Sequence, residues 1–429
     1  MSVSAGWFLF TALFLCVGTP VSFSITLAAV CSLWLFGSSP LGLIPIMMFT
    51  GLNSFLLIAV PLFLFVGRVM ETGGTSQRIF EFASALFGWL RGGLGHVNVV
   101  GSMIFGGISG SSVADAGSLG RIEVVAMVNA GYPKNYSVAL SVVTSTLAII
   151  IPPSIPMVIY AVSASESVGR VLAAGLIPGI LIGLIMMGVN HLKAIREGWE
   201  GDQRFSVRQV AATFKDGFWA LLTPIVILGG IFSGVVTATE AAAVAALYCI
   251  LVAGVVYKNL DRRGLWQTIK ESARDSGGIL FMMAGASLVA YILSADRVPQ
   301  RMAEWIIANS PGAAVTMGGL VVLLLLAGMF MDPAPAIVIL VPIFLPVARQ
   351  LGYDGVHFGV ILVSTLAIGL VTPPVAPCLI TTCMVTDSKM EEVFPECLIF
   401  LVGMVAAVAL LIAFPSLSLW VPNLLFGRR

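Results

Sequence analysis

Residues 146–156 read TLAIIIPPSIP and residues 365–377 read TLAIGLVTPPVAP. Each run follows a Gly-Tyr pair by the same interval: Gly131 and Tyr132 stand 21 residues ahead of Pro152 and Pro153, and Gly352 and Tyr353 stand 21 residues ahead of Pro373 and Pro374. Both runs close in PPxxP, at Pro156 and Pro377. A proline has no N–H to give, and its ring clashes with the carbonyl four residues earlier, so a helix entering either run must break. The spacing predicts that the carbonyls of Ala148 and Pro152, and of Gly369 and Pro373, lose their helical partners.

The solvent around these breaks follows from composition. Of 429 residues, 58% are hydrophobic and 10% charged, where soluble domains carry about 25% charged residues. So few charges cannot cover a soluble chain of this size. The first charge is Arg68, and residues 137–165, 171–190, 356–386 and 398–427 also lack Asp, Glu, Lys and Arg. About 20 apolar residues cross the hydrocarbon as a helix, and the roughly 10-residue alternation of an outer-membrane barrel is missing. The chain therefore reads as an all-α polytopic membrane protein. A net charge of +1 suggests no nucleic-acid partner. The six cysteines show no CxxC spacing and read as packing residues, and the start MSVSAGWFLF lacks the basic region of a signal peptide.

Basic residues gather at 193–215 (Lys193, Arg196, Arg204, Arg208, Lys215) and at 258–274 (Lys258, Arg262, Arg263, Lys270, Arg274). The positive-inside rule puts both segments on the cytoplasmic side. Residues 217–257 between them are long enough for two crossings, with the turn near Glu240 outside. Counting outward, 169–191 descends, so the first broken run ascends. Residues 277–294 ascend, 312–348 turn back at MDPAPA, and the second broken run descends. The two runs thus form an inverted repeat, the layout of secondary transporters. The 67 uncharged N-terminal residues allow two or three passes.

An apolar hairpin precedes each broken run: IFGGISGSSVADAGSLG at 104–120 and LLAGMFMDPAPAIVILVP at 325–342. At the offset of 221 residues Ser111 aligns with Asp332. Ser109, Ser111, Ser112 and Asp115 polarise one tip and Asp332 the other; intramembrane carboxylates are functional candidates by default. Asp115 has a second reading as a helix cap, and the GGISGSS run has one as a small-residue packing surface. Ser154, inside PPSIP, is a candidate donor to an anion. Glu123, Arg121 and Lys134 are expected near the cytoplasmic mouth as solvated or paired charges. Residues 75–93, with Arg78, Glu81 and Arg91 among apolar positions, fit an amphipathic interfacial helix. His96, His191 and His357 are the only histidines and accompany no GxSxG or HExxH, so an intramembrane enzyme is not expected.

GGISGSSVADAGSLG, GYPKNYSVAL, TLAIIIPPSIPMVIYAVS and VGRVLAAGLIPGIL together resemble the large membrane subunit (DctM type, M subunit) of TRAP transporters. That resemblance implies two re-entrant hairpins, two broken transmembrane helices, and an elevator motion of a transport domain against a scaffold. It implies uptake of an organic acid driven by sodium (Na+), such as sialic acid, a C4-dicarboxylate or a sugar acid. It also implies a periplasmic substrate-binding protein (P type) and a separate small membrane subunit (Q type, four helices), all serving a multi-pass chain in the bacterial inner membrane. By the same resemblance, Ser109 and Ser111 with the backbone from Ala148 through Ile151, Pro152 and Pro153 form a first sodium site. Gly328, Asp332, Gly369, Thr372 and Pro373 form a second, and Ser111, Ser154 and Asp332 meet the substrate. The implied regions are N-terminal scaffold helices at 1–74, an amphipathic arm at 75–92, one transport half at 93–166, scaffold and connecting helices at 167–295, the second half at 312–390 and a C-terminal helix at 395–429. The rival expectation is a related ion-coupled carboxylate transporter that works without a binding protein.

Overall fold

The computed structural model describes residues 2–37, 40–201, 204–309 and 312–427, so residues 1 and 38–39 of the first expected region, 202–203 of the scaffold and connecting region and 428–429 of the last lie outside it. The described residues form twenty α-helices with short 3-10 and π turns and no strand. This is what a chain without water to satisfy its backbone must do.

The first helices are α1 (Val3–Cys16), α2 (Val21–Phe36), α3 (Leu43–Leu52) and α4 (Ala59–Thr72). A 3-10 turn extends α4 back to Phe55, and among the described residues Phe55–Thr72 is the N-terminal piece with the 18 residues of a full span; α1 and α2 are shorter apolar helices. Helices α11 (Val207–Phe232), α12 (Ala238–Leu251) and α13 (Arg262–Ala295) complete an outer layer, with α13 against α2, α3 and α4, and α12 against α4 and α11. The turn expected at Glu240 is a capping box: Thr237 accepts from the Glu240 N–H, and the Glu240 carboxylate accepts from Thr237. Most of the second basic segment is helical, since α13 begins at Arg262, capped by Asp261.

The other helices gather around the two breaks. They are α6 (Gly93–Ser109), α7 (Ser112–Asn129), α8 (Lys134–Ser145), α9 (Ile155–Ala164), α10 (Val168–Glu197), α15 (Ala313–Phe330), α16 (Pro333–Gln350), α17 (Gly355–Gly369), α18 (Pro377–Thr386), α19 (Met390–Ala413) and α20 (Ser416–Phe426). Helix α10, expected among the scaffold and connecting helices, packs instead on α6, α9, α17, α19 and α20. The single C-terminal helix expected at 395–429 is two, α19 and α20, because Pro415 interrupts the run. Helix α5 (Thr75–Phe87) is shorter than the expected arm and lies between α6 of the inner bundle and α11 of the outer layer, burying Ile79 and Ala83. On the other side α14 (Val298–Asn309) joins α13 to α16. The cysteines are free; Cys249, Cys378, Cys383 and Cys397 are buried as packing residues, whereas Cys16 is exposed.

Candidate functional site

Both proline runs break their helices. In the first, α8 tightens into a 3-10 turn at Thr146–Ile149 and α9 starts at Ile155; in the second, α17 stops at Gly369 and α18 starts at Pro377. The Pro152–Pro153 and Pro373–Pro374 bonds are both cis. Each break is tied to the tip of its hairpin by one backbone hydrogen bond, Ile155 N–H to Gly110 O at 3.4 Å and Val375 N–H to Met329 O at 3.2 Å. The repeat seen in sequence is therefore a repeat of contacts as well.

Glycine makes that contact close enough. A Cβ on Gly106 would stand 2.6 Å from Ala148 Cα, and one on Gly369 would stand 2.4 Å from the Gly328 carbonyl carbon. Gly110 turns the first tip at φ +61°, which L side chains rarely adopt.

Among the described residues no backbone hydrogen bond reaches the carbonyls of Ala148, Pro152 or Pro373. Gly369 departs from expectation: its carbonyl accepts from Thr372 N–H at 3.0 Å. The chain recovers the lost bond by tightening to an i→i+3 turn, as helix ends commonly do. The Thr372 hydroxyl donates to Ile368 O at 2.8 Å, leaving its lone pairs free to accept a cation.

A cavity of about 540 Å³ lies where the tips meet the outer layer. Its inner wall holds Ser109, Gly110, Ser111, Ser112 and Val113 of the first tip, Asp332, Pro333 and Ala334 of the second, and Ile149, Ile155 and Pro156 of the first break. Its outer wall is Leu64, Gly67, Arg68 and Glu71 of α4 with Asp275 and Ile279 of α13. Three helix N-termini thus meet one space: α7 capped by Ser111, α16 capped by Asp332, and α9. The helix dipole makes such ends favourable to negative charge, and α7 adds the N–H groups of Ser112 and Val113. At α9 and α16 the first-turn N–H groups go to Gly110 O, Ser154 and Asp332 or are missing at Pro156, Pro333 and Pro335.

The expected site residues separate into two groups. Ser109, Ser111 and Asp332 share the cavity, with Asp332 open to it and its carboxylate accepting from Ala334 N–H at 3.4 Å. Ala148, Ile151, Pro152, Pro153, Gly328, Gly369, Thr372 and Pro373 form the backbone behind the tips and are not on the cavity wall. Ser154 is also behind it. Its hydroxyl donates to Ile149 O at 2.6 Å and accepts from Met157 N–H at 3.3 Å, so it closes the break and caps α9 instead of facing a ligand. Asp115 is not the cap of α7, since Ser111 takes that place; it is buried in the first turn. Of the three charges expected as solvated or paired, Arg121 and Lys134 are exposed and Lys134 donates to Asp387 O at 2.6 Å, whereas Glu123 is 1% exposed.

Sequence reading missed the outer wall. The Arg68 guanidinium donates from Nε and Nη2 to Asp275 at 3.0 and 2.5 Å and from Nη1 to Glu271 at 3.0 Å. The available signal was Arg68 and Glu71, one helical turn apart in the otherwise uncharged segment Phe55–Thr72.

Residues 8–417 match the family described as "Tripartite ATP-independent periplasmic transporter, DctM component". The chain is 35% identical over 410 residues to the sialic acid TRAP transporter large permease protein SiaM of Vibrio cholerae, covering 96% of each. It is 38% identical over 402 residues to the C4-dicarboxylate TRAP transporter large permease protein DctM of Pseudomonas aeruginosa, covering 93% of this chain and 94% of that one. In fold it is similar to the YdaH transporter of Alcanivorax borkumensis, with a TM-score of 0.64 at 14% identity over 85% of this chain and 86% of that one. Eight helices among the described residues that are long and apolar enough to span a bilayer, the matched broken repeat and these relatives together place the chain as a multi-pass membrane protein of the DctM family, the large permease component of tripartite ATP-independent periplasmic transporters.

Proposed function

We propose that this subunit takes up an organic acid across the bacterial inner membrane with sodium, by an elevator motion of the broken-helix bundle past the outer layer. A periplasmic binding protein delivers the acid, and a small four-helix membrane subunit stands beside this chain. The observation that carries the reading is the convergence of three helix N-termini on a cavity that also holds Asp332. Partial positive ends suit a carboxylate, and Asp332 with the bare carbonyls behind it suits cations.

In this reading Ser109 and Ser111 work with the carbonyls of Ala148, Ile151, Pro152 and Pro153 to hold one sodium ion. Gly328, Asp332, Gly369, Thr372 and Pro373 hold a second. Bound cations offset Asp332 and the outer-wall carboxylates, so an anion enters a space that would otherwise repel it. Ser111 and the Ser112 and Val113 N–H groups at the α7 N-terminus receive the carboxylate, while Ser154 supports the site by shaping the break. The membrane potential supplies about 2.3 kcal/mol per net charge per 100 mV.

The test uses proteoliposomes containing all three components, offered labelled sialic acid or succinate with an inward sodium gradient. Asp332→Asn and Ser111→Ala each lower sodium-dependent uptake at least about tenfold, the effect of losing about 1.4 kcal/mol of binding. Unchanged uptake in both variants sinks the site assignment. Transport by the chain alone removes the binding protein from the scheme.

A further inference from the structure

Helix α7 carries a carboxyl that the sites above do not use. Glu123 is 1% exposed and sits between α6 and α8 inside the broken-helix bundle. One side of it is a directed chain of hydrogen bonds. The Thr144 hydroxyl lies 2.6 Å from Asn98 Oδ1 and 3.0 Å from Leu140 O, either of which can take its proton; Asn98 Nδ2 donates to Ser141 Oγ at 2.5 Å, and Ser141 donates to Glu123 Oε2 at 3.4 Å. The Asn98 and Ser141 donors point toward the carboxyl. The other oxygen, Oε1, has no hydrogen-bond partner among the described residues.

Among the described residues, the groups facing Glu123 supply no positive charge. From α6 come Asn98 and Gly101, and a Cβ on Gly101 would stand 2.9 Å from Oε1. From α8 comes Ser141, while the Lys134 ammonium is engaged with Asp387 O and the Tyr136 hydroxyl with Asn190. Helix α18 brings the thiols Cys378 and Cys383, and on α5 Arg78 lies over the Tyr257 ring and Glu81 bonds Gln77. His96 has its ring against His191, and Arg121 is exposed. The charge-bearing group that acts on Glu123 is Asp115, of the same sign, two turns away on α7.

An ionised carboxylate so placed, with one long hydrogen bond and no cation, has lost its hydration with little to replace it. A metal ion does not suit it either. Sodium-like cations need several oxygens around them, and no group of three acidic, thiol or imidazole ligands occurs among the described residues. A single proton needs only the one free oxygen, Oε1.

We propose that Glu123 is a proton-binding site inside the bundle. One proton from water adds to Oε1, no other bond changes, and the bundle then moves without a buried unpaired charge at this point. Oε1 lies six residues before the end of α7 at Asn129, about 9 Å along the helix, and exchange occurs through that end. Only the consequence for transport rests on the proposed function; the protonation itself is tested without substrate.

The experiment is infrared difference spectroscopy of the purified chain in lipid nanodiscs at neutral pH, in sodium-free and sodium-containing buffer. The wild type shows the carbonyl stretch of a protonated carboxyl; Glu123→Gln loses that band, and Ser141→Ala, which keeps the acid but removes its partner, shifts it. The folded state then binds one more proton than the unfolded chain, so stability falls as pH rises. The wild-type Tm accordingly drops more steeply toward alkaline pH than that of Glu123→Gln. A carboxylate signature assigned to Glu123 at neutral pH, a band that disappears on adding sodium chloride, or a band indifferent to Ser141→Ala overturns the proposal.

Discussion

At the scale of single residues, the site depends on which polar atoms are left over after the backbone has repaired itself. Ser111 and Ser154 are both N-caps with the same residue type, yet the first lines the cavity and the second is sealed behind it. Ser154→Ala removes a hydroxyl that satisfies Ile149 O and Met157 N–H. It should lower the stability of the chain in detergent by about 1–2 kcal/mol, read as a drop in Tm, with sodium and substrate affinity of the folded fraction within twofold of wild type. An equally large change in affinity would place Ser154 in the site after all. Gly369→Ala tests the other kind of constraint. Its Cβ would stand 2.4 Å from Gly328 backbone that cannot swing away, so the tip must back off from the break. About 1–3 kcal/mol of overpacking is expected, together with lost sodium-dependent stabilisation in a thermal-shift assay.

Among the elements, α5 has a role that its length alone does not suggest. It touches both the inner bundle, through α6, and the outer layer, through α11, and Ile79 is fully buried in it. Ile79→Ala should cost about 2–5 kcal/mol if the contact is as dense as its burial indicates. A loss below about 0.5 kcal/mol in denaturant-monitored unfolding would show that the brace is loose. The Arg68 links from α4 to α13 have all three side chains about 36–43% exposed, so solvent screening leaves each worth at most about 1 kcal/mol. Arg68→Ala should therefore change Tm little, and its effect should appear in uptake, because it removes the one cationic side chain that lines the cavity among the described residues.

For the whole molecule, the two halves need opposite orientations in the bilayer. Truncations fused to a reporter decide this directly. A fusion after Gly198, at the end of α10, should be cytoplasmic, and one after Gly234, at the end of α11, should be periplasmic. Alkaline phosphatase activity at the first position and none at the second would reverse the topology and with it the assigned faces of both broken helices.

Much of this was legible in the residues themselves. The helical class follows from the scarcity of charge, because lipid forces every backbone group to find its partner inside a helix. The positions of the breaks follow from proline, whose missing N–H is a local covalent fact, and the repeat follows from two such breaks at equal spacing. The tertiary structure decided what spacing cannot encode. It set which carbonyls stay bare, since Gly369 O is reclaimed by Thr372 N–H; which polar groups face a cavity, since Ser111 does and Ser154 does not; and whether a carboxyl is solvated, since Glu123 is buried. It also supplied the outer wall of Arg68 and Asp275, some 200 residues apart in the chain. The reason is physical: breaking a helix is a property of the residue that breaks it, whereas the fate of each freed atom depends on what distant segment comes to lie beside it.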